Sequence, residues 1–246
     1  MQDYKIIDVK ERVLADNEAA AARTRALLRE KGLVLVNLMG SPGAGKTSVL
    51  LRLLEALPEL RIGVMEADVD SDVDAETVSE AGAKVIQLHT GGLCHMDADM
   101  TARGLEALGV LPASNLPCLQ GRGTGLEAGG GVCSDLDLVF LENIGNLVCP
   151  AEFDVGADLK MMILSVPEGD DKPLKYPLMF TVSDVMLVNK IDAAPIFDFD
   201  LAAAEQRAKA LNPEIRVFPI SAKEGRGLEP VAELLRGLVE ERRGAK

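Results

Sequence analysis

Apolar positions along this chain fall into short continuous runs, separated by longer stretches where they recur every three or four residues. The runs lie at Leu33–Met39, Arg61–Met65, Lys84–Leu88, Leu136–Leu141, Met161–Val166, Val185–Val188 and Arg216–Ile220, and predict strands buried in a sheet. The periodic stretches Lys46–Leu57, Ala75–Ala81, Asp97–Leu108, Leu201–Leu211 and Leu228–Arg242 predict helices. Strands alternating with helices indicate the α/β class: a mostly parallel sheet with helices on both faces and ligands beyond the C-terminal ends of its strands. Ahead of this pattern, Asp8 to Lys31 is charged and alanine-rich with helical spacing, and Gly32 ends it. The expected organisation is therefore an N-terminal helical segment over 1–31 and one domain over 32–246. Only 111–135 breaks the rhythm, a loop excursion rich in proline and glycine that carries Cys118 and Cys133.

Composition narrows the class of partner. The 246 residues are 48% hydrophobic but only 3% aromatic, which suits helices and aliphatic strands. A net charge of −13 without a basic block argues against nucleic acid. The N-terminus has no apolar core of a signal peptide, and no apolar stretch approaches the ~18 residues of a membrane span. A cytoplasmic location is expected, with all four cysteines reduced and available as metal ligands.

Gly40-Ser41-Pro42-Gly43-Ala44-Gly45-Lys46-Thr47 fits the P-loop template between a predicted strand and a predicted helix. In that context the backbone N–H groups around Gly43, Ala44, Gly45, Lys46, Thr47 and Ser48 cradle phosphates at a helix N-terminus. Lys46 reaches the β- and γ-phosphates, and the Thr47 hydroxyl binds Mg²⁺.

The base is read further on. Asn189-Lys190-Ile191-Asp192 follows a predicted strand, and the carboxylate of Asp192 accepts hydrogen bonds from guanine N1–H and its 2-amino group, a pattern adenine lacks. Asn189 and the stem of Lys190 frame the ring, and Ser221-Ala222-Lys223 closes the pocket. GTP and GDP are thus the expected nucleotides. Glu142-Asn143-Ile144-Gly145 ends another strand, where an acidic residue holds Mg²⁺ through water and the Gly145 N–H senses the γ-phosphate. Among the carboxylates from Glu66 to Asp74, Asp68 and Asp74 are the candidates for Mg²⁺ or the attacking water, because a cation must offset their repulsion of the phosphates.

Cys94-His95 offers a thiolate and an imidazole, donors that suit Ni²⁺, Zn²⁺ or copper. Two donors leave such an ion short of about four. Cys149, Cys118, Cys133 or a second copy of the chain are the sources of the rest. Cys149 lies four residues beyond Gly145, so a γ-phosphate-driven movement of Gly145 would carry its thiol.

Together these segments resemble the HypB family of GTPases, which help load nickel into [NiFe]-hydrogenase. The likeness rests on Gly40–Thr47, Gln87–Met100, Glu142–Pro150, Ser165–Tyr176, Asn189–Asp192 and Ser221–Lys223, in family order from about Gly32 onward. It implies the SIMIBI class of P-loop GTPases, nucleotide-linked homodimers and slow hydrolysis. It further implies that Cys94, His95 and Cys149 are the nickel or zinc ligands, that Asp74 and Glu142 act near Mg²⁺ beside Lys46 in catalysis, and that a HypA-type nickel chaperone and the hydrogenase large-subunit precursor are partners. Three departures stand out. No high-affinity cysteine motif or histidine-rich store precedes the domain, so nickel storage is not expected. Ala67 and Val69-Asp70 replace the family's usual glycine and glutamines. The excursion at 111–135 is longer than usual, and Cys118 and Cys133, without family counterparts, read as loop residues. A sister GTPase serving urease usually carries Cys-Pro-His, and here no proline separates Cys94 from His95. Two other readings stand beside it: a GTPase serving a cobalamin-dependent mutase, and a non-catalytic metal-binding module in which the nucleotide is only structural.

Overall fold

The computed structural model describes residues 9–68, 78–79, 82–112 and 135–245. Seven strands form one sheet: β1 Val34–Gly40, β2 Ile62–Asp68, β3 Lys84–His89, β4 Leu138–Glu142, β5 Leu159–Ser165, β6 Val185–Asn189 and β7 Arg216–Pro219. Their order is β3-β2-β4-β1-β5-β6-β7, and every pairing is parallel. The central strands β1, β4 and β6 are buried along their whole length, as expected of strands covered on both faces.

The helices are α1 Val9–Lys31, α2 Lys46–Ala56, α3 Ala98–Ala107, α4 Cys149–Glu152, α5 Lys172–Lys175, α6 Pro177–Val182, α7 Leu201–Leu211 and α8 Glu229–Gly244. All seven predicted strands are present within a few residues of their expected limits. The three short helices α4, α5 and α6 were not predicted. They are four to six residues long, too short to print a 3.6-residue period. Of the predicted helix at 75–81, only 78–79 is described, and it is helical there.

Alternation along the strands sorts the core by face. Val34, Val36, Leu38, Leu138 and Phe140 pack with Leu50 and Leu53 of α2 and Leu235 of α8. Leu33, Leu35, Val139 and Leu141 pack on the opposite face with Leu28 of α1 and Leu105 of α3. Met39, Met162, Leu164 and Met186 pack with Phe180 of α6 and Ala208 of α7. Placing β4 between β1 and β2 has a functional consequence: the loop after β4 emerges beside the P-loop on one side and the loops after β2 and β3 on the other.

At the other end of the sheet, Asp137 binds Arg61 (2.9 and 3.1 Å) and Arg243 (2.7 Å). Burial alone would raise its carboxyl, but the hydrogen bonds from Arg61 and Arg243 outweigh that and hold it well below the usual carboxylate range. A carboxyl whose folded pKa lies below its unfolded value stabilises the fold above the unfolded value, and loses that contribution as pH falls toward the folded one. Asp137→Asn should therefore lower the melting temperature at neutral pH. The gap to wild type should narrow in melts taken below about pH 4; a constant gap across the series would contradict this role.

A nucleotide cleft joined to a Cys/His cluster

The P-loop leaves β1 at Gly40 and enters α2 at Lys46. Gly43 (φ 73°) and Gly45 (φ 93°) adopt left-handed conformations, so the turn needs glycine at both. At Gly45 a Cβ would also stand 2.6 Å from Asn189 Nδ2. Ala44 is buried, Lys46 and Thr47 are half-buried and Ser48 is exposed. Thr47 Oγ1 donates to Glu142 Oε1 at 3.0 Å, which brings together the two predicted Mg²⁺ contacts nearest the phosphates.

Glu142 has a neighbour the motif reading did not single out. Glu66 stands opposite it in the parallel register of β2 and β4, and both carboxylates are buried. Register partners in a parallel sheet share a face, so both side chains leave neighbouring strands, ~4.8 Å apart, on the same side. These donors fit Mg²⁺, which takes carboxylate and hydroxyl oxygens. Asp68 closes β2, but its side chain, like the whole of Asp74, lies outside the described part of the structure.

The segments expected to read the base converge on the same mouth. Asn189 donates to the Ala44 carbonyl (2.9 Å) and accepts from the Ala222 N–H (3.1 Å), so one buried amide ties P-loop, β6 and closing loop together. Lys190 has φ 64° and donates to the Gly43 carbonyl at 2.6 Å. Ser221, fully buried, donates to Asp192 at 2.6 Å, and that bond leads the causes that lower the Asp192 carboxyl's pKa. The carboxylate is thus ionised and oriented. Arg52 of α2 donates to the Ala222 carbonyl at 2.9 Å, bracing the closing loop. A cleft of about 500 Å³ lies between Gly45, Ser48, Asn189, Lys190, Ala222 and Lys223.

Beyond β4 the chain runs back over the P-loop. Asn146 N–H donates to the Gly40 carbonyl at 3.1 Å. A Cβ at Gly145 would lie 2.9 Å from the Pro42 nitrogen, so only glycine lets the two backbones approach this closely. The segment then reaches Cys149 at the start of α4. Its Sγ lies 2.9 Å from Cys94 Sγ, and Cys94 Sγ is 3.8 Å from His95 Nδ1. The ligand atoms of Cys94, His95 and Cys149 all lie within 4.8 Å of one another, the one such cluster of three or more His, Cys, Asp or Glu groups among the described residues. Cys118 and Cys133, the other candidate donors, lie outside the described residues.

A family model for the CobW/HypB/UreG nucleotide-binding domain matches residues 34–219. A hydrogenase maturation factor HypB of Azotobacter chroococcum is 40% identical over 247 aligned positions, covering 100% of this chain and 72% of its own. The chain belongs to the HypB family. Its structure is similar to that of HypB from Helicobacter pylori solved in complex with nickel, with a TM-score of 0.78 and 31% identity over 92% of this chain and 96% of that one. A more distant likeness to the signal recognition particle 54 kDa protein of Aeropyrum pernix (TM-score 0.51, 15% identity, 86% and 49% coverage) concerns the fold alone. No helix among the described residues is long and apolar enough to cross a membrane.

In this HypB-family chain the cluster's surroundings favour a soft metal ion. His95 stacks on Phe153, with ring centroids 3.9 Å apart. Burial pulls its pKa below the ordinary value against the opposing charges of Asp97 and Glu152, so the imidazole is neutral and ready to ligate near neutral pH. The hydrogen bond with Cys94, and then burial, push the Cys149 thiol up. An ion would therefore have to displace a proton from the sulfur pair. Two thiolates on one tetrahedral ion stand roughly 3.8 Å apart, given metal–sulfur bonds of ~2.3 Å, so the thiols must also separate to admit it.

Residues outside the predicted set hold this arrangement. Asn143, fully buried, donates to Asn37 (3.2 Å) and accepts from the N–H groups of Met96 (3.3 Å) and Ile144 (2.9 Å). This also explains a polar Asn37 inside the central strand: leaving such a buried amide unsatisfied costs about 1–3 kcal/mol. Asn146 Nδ2 donates to the Cys94 carbonyl at 3.3 Å. Asparagines in a post-strand segment are the only local sign of these roles, and such residues more often serve turns.

Proposed function

We propose that this chain hydrolyses GTP with Mg²⁺ and uses that event to release Ni²⁺ to the large-subunit precursor of a [NiFe]-hydrogenase. The observation that carries the reading is Asn146, whose backbone N–H is bonded to the P-loop carbonyl of Gly40 and whose side chain is bonded to the carbonyl of Cys94. One segment, Glu142 to Cys149, therefore begins at the proposed Mg²⁺ position and ends at a proposed nickel ligand. Lys46 and the P-loop N–H groups stabilise charge developing on the phosphates. Thr47 and Glu142, with Asp68 and Asp74, hold Mg²⁺, and Asp74 also serves the attacking water. Gly43, Ala44, Gly45, Ser48 and Gly145 surround the phosphates. Asp192 and Asn189, with Lys190, Ser221, Ala222 and Lys223, hold guanine. Bound Mg²⁺ supplies charge neutralisation at the β- and γ-phosphates.

Nickel, or zinc at the same donors, is cargo held by Cys94, His95 and Cys149. Three ligands leave the coordination incomplete. The flanking Leu93 and Val148 are apolar yet 46% and 50% exposed, which supports a second protein surface over the site. A homodimer would supply a twofold-related set of the same ligands. A HypA-type chaperone is the proposed nickel donor, and the cytoplasm the proposed location. The coupling is tested by nickel titrations with GDP and with a non-hydrolysable GTP analogue. Nickel affinity should differ at least about tenfold between the two, a coupling of ~1.4 kcal/mol; equal affinities would remove the switch.

A further inference from the structure

The N-terminal helix is bonded to residues on both sides of the cluster through Asn17. Asn17 of α1 uses both ends of its amide: Nδ2 donates to the Asp154 carbonyl at 2.9 Å, and Oδ1 accepts from the Ala98 N–H at 2.9 Å. A carbonyl can only accept and an N–H only donate, so the orientation of the amide is fixed by its two partners. The anchor points matter because of what precedes them. Ala98 opens α3, whose N-cap Asp97 lies two residues after His95. Asp154 follows Phe153, whose ring stacks on His95, in the stretch that begins with Cys149.

Two separate segments thus carry the ligands, with Cys94 and Cys149 55 positions apart, and Asn17 is bonded to both. Arg25, two turns further along α1, strengthens one side: its Nη2 donates to both carboxylate oxygens of Asp154 (2.7 and 2.9 Å) and its Nε donates to the Ala157 carbonyl at 3.2 Å. At Gly156 a Cβ would stand 2.8 Å from the Ala21 carbonyl, so helix and loop are in close backbone contact. The side-chain hydrogen bonds of Asn17 and Arg25 run to Ala98, Asp154 and Ala157, away from the P-loop and the candidate guanine-reading segments.

We propose that Asn17 is a positioning residue of the metal site: α1 clamps the Cys94-His95 and Cys149–Phe153 segments at the separation at which one ion bridges them. The inference rests on reading Cys94, His95 and Cys149 as nickel ligands. The physical ground is that ligands on loops keep their geometry only where neighbouring groups fix it, and loss of such a support lowers metal affinity about 10- to 100-fold. The helix thereby sets metal affinity independently of the nucleotide, and any partner that shifts α1 alters how tightly the ion is held.

The test is titration of the full chain with Ni²⁺, following both affinity and the sulfur-to-nickel charge-transfer absorption, alongside GDP affinity. Asn17→Ala should weaken nickel binding about tenfold and alter the absorption while leaving GDP affinity within about twofold. Asn17→Asp, which keeps the acceptor for Ala98 but sets a carboxylate against the Asp154 carbonyl, should also weaken it. Leu235→Ala, a core truncation on the opposite face of the sheet, serves as the control for general destabilisation and should keep the wild-type nickel affinity. Wild-type affinity and spectrum in both Asn17 variants, or an equal loss in Leu235→Ala, would overturn the proposal. Cys94→Ala separates the two layers: nickel lost there but retained in the Asn17 variants removes only the clamp, whereas nickel retained in Cys94→Ala removes the site itself.

Discussion

Replacing Lys46 by Ala is expected to slow single-turnover GTP hydrolysis at least about 100-fold, the usual cost of deleting one preorganised group that stabilises transition-state charge. Lys46 is the first residue of α2 and half-buried, and alanine is the best helix former, so the loss should be chemical rather than structural. Far-ultraviolet circular dichroism and the melting temperature should be those of wild type. The wild-type rate itself should be low, far below the ~10 s⁻¹ of a median enzyme, because no arginine among the described residues lines the nucleotide cleft on its phosphate side. Measured hydrolysis unchanged in Lys46→Ala would remove the P-loop lysine from the mechanism. A wild type without hydrolysis even with nickel and partner present would favour a module whose nucleotide is only structural.

Nearly as large an effect is expected at the cluster. Cys94→Ala should reduce nickel affinity at least about 100-fold, since it deletes a ligand and not merely a support. The thiol is exposed at the end of a glycine turn in which Gly91 (φ 63°) and Gly92 (φ 93°) are left-handed, so the fold has little to lose. Cys149→Ala should do the same, and GDP affinity should survive in both. Because the Cys149 thiol is pushed up, binding must release a proton, and wild-type nickel affinity should rise from about pH 6.5 to about pH 8.5. Isothermal titration in two buffers of different ionisation enthalpy counts the protons directly. Full nickel binding in Cys94→Ala would show that the ion sits elsewhere, and the mass of the nickel-loaded species reports whether two copies share it.

Much of this molecule was legible from residue order alone. Val34–Gly40 and Val185–Asn189 are visible as strands because a strand buried on both faces leaves little room for polar residues, so its run is apolar apart from Asn37 and Asn189, whose amides are hydrogen-bonded. Gly43 and Gly45 mark the phosphate turn because their left-handed backbone excludes other residues. Lys190 was expected to frame a base with its stem; its ammonium also reaches back to the Gly43 carbonyl, a contact across 147 positions that no local pattern encodes. The short helices α4, α5 and α6 are set by tertiary packing and by a proline in the first turn of each, not by periodicity.

The sequence by itself determined the α/β class and the phosphate turn and marked the candidate guanine-reading segments, because each depends on residues adjacent in the chain whose local chemistry suffices. It did not determine which donors would meet Cys94 and His95. Spacing left Cys149, Cys118, Cys133 and a second chain all open, and only resemblance to a family pointed to one of them. Among the described residues, tertiary structure brings Cys149 to Cys94 and His95 through strand order. With β4 inserted between β1 and β2, the segment leaving β4 passes over Gly40 and delivers Cys149 to the loop that follows β3, 2.9 Å from Cys94. Nor could any pattern reveal that Asn17, in a helix ahead of the first strand, grips both ligand segments. Hydrogen bonds between residues so distant in the chain exist only once the sheet has fixed where each loop emerges.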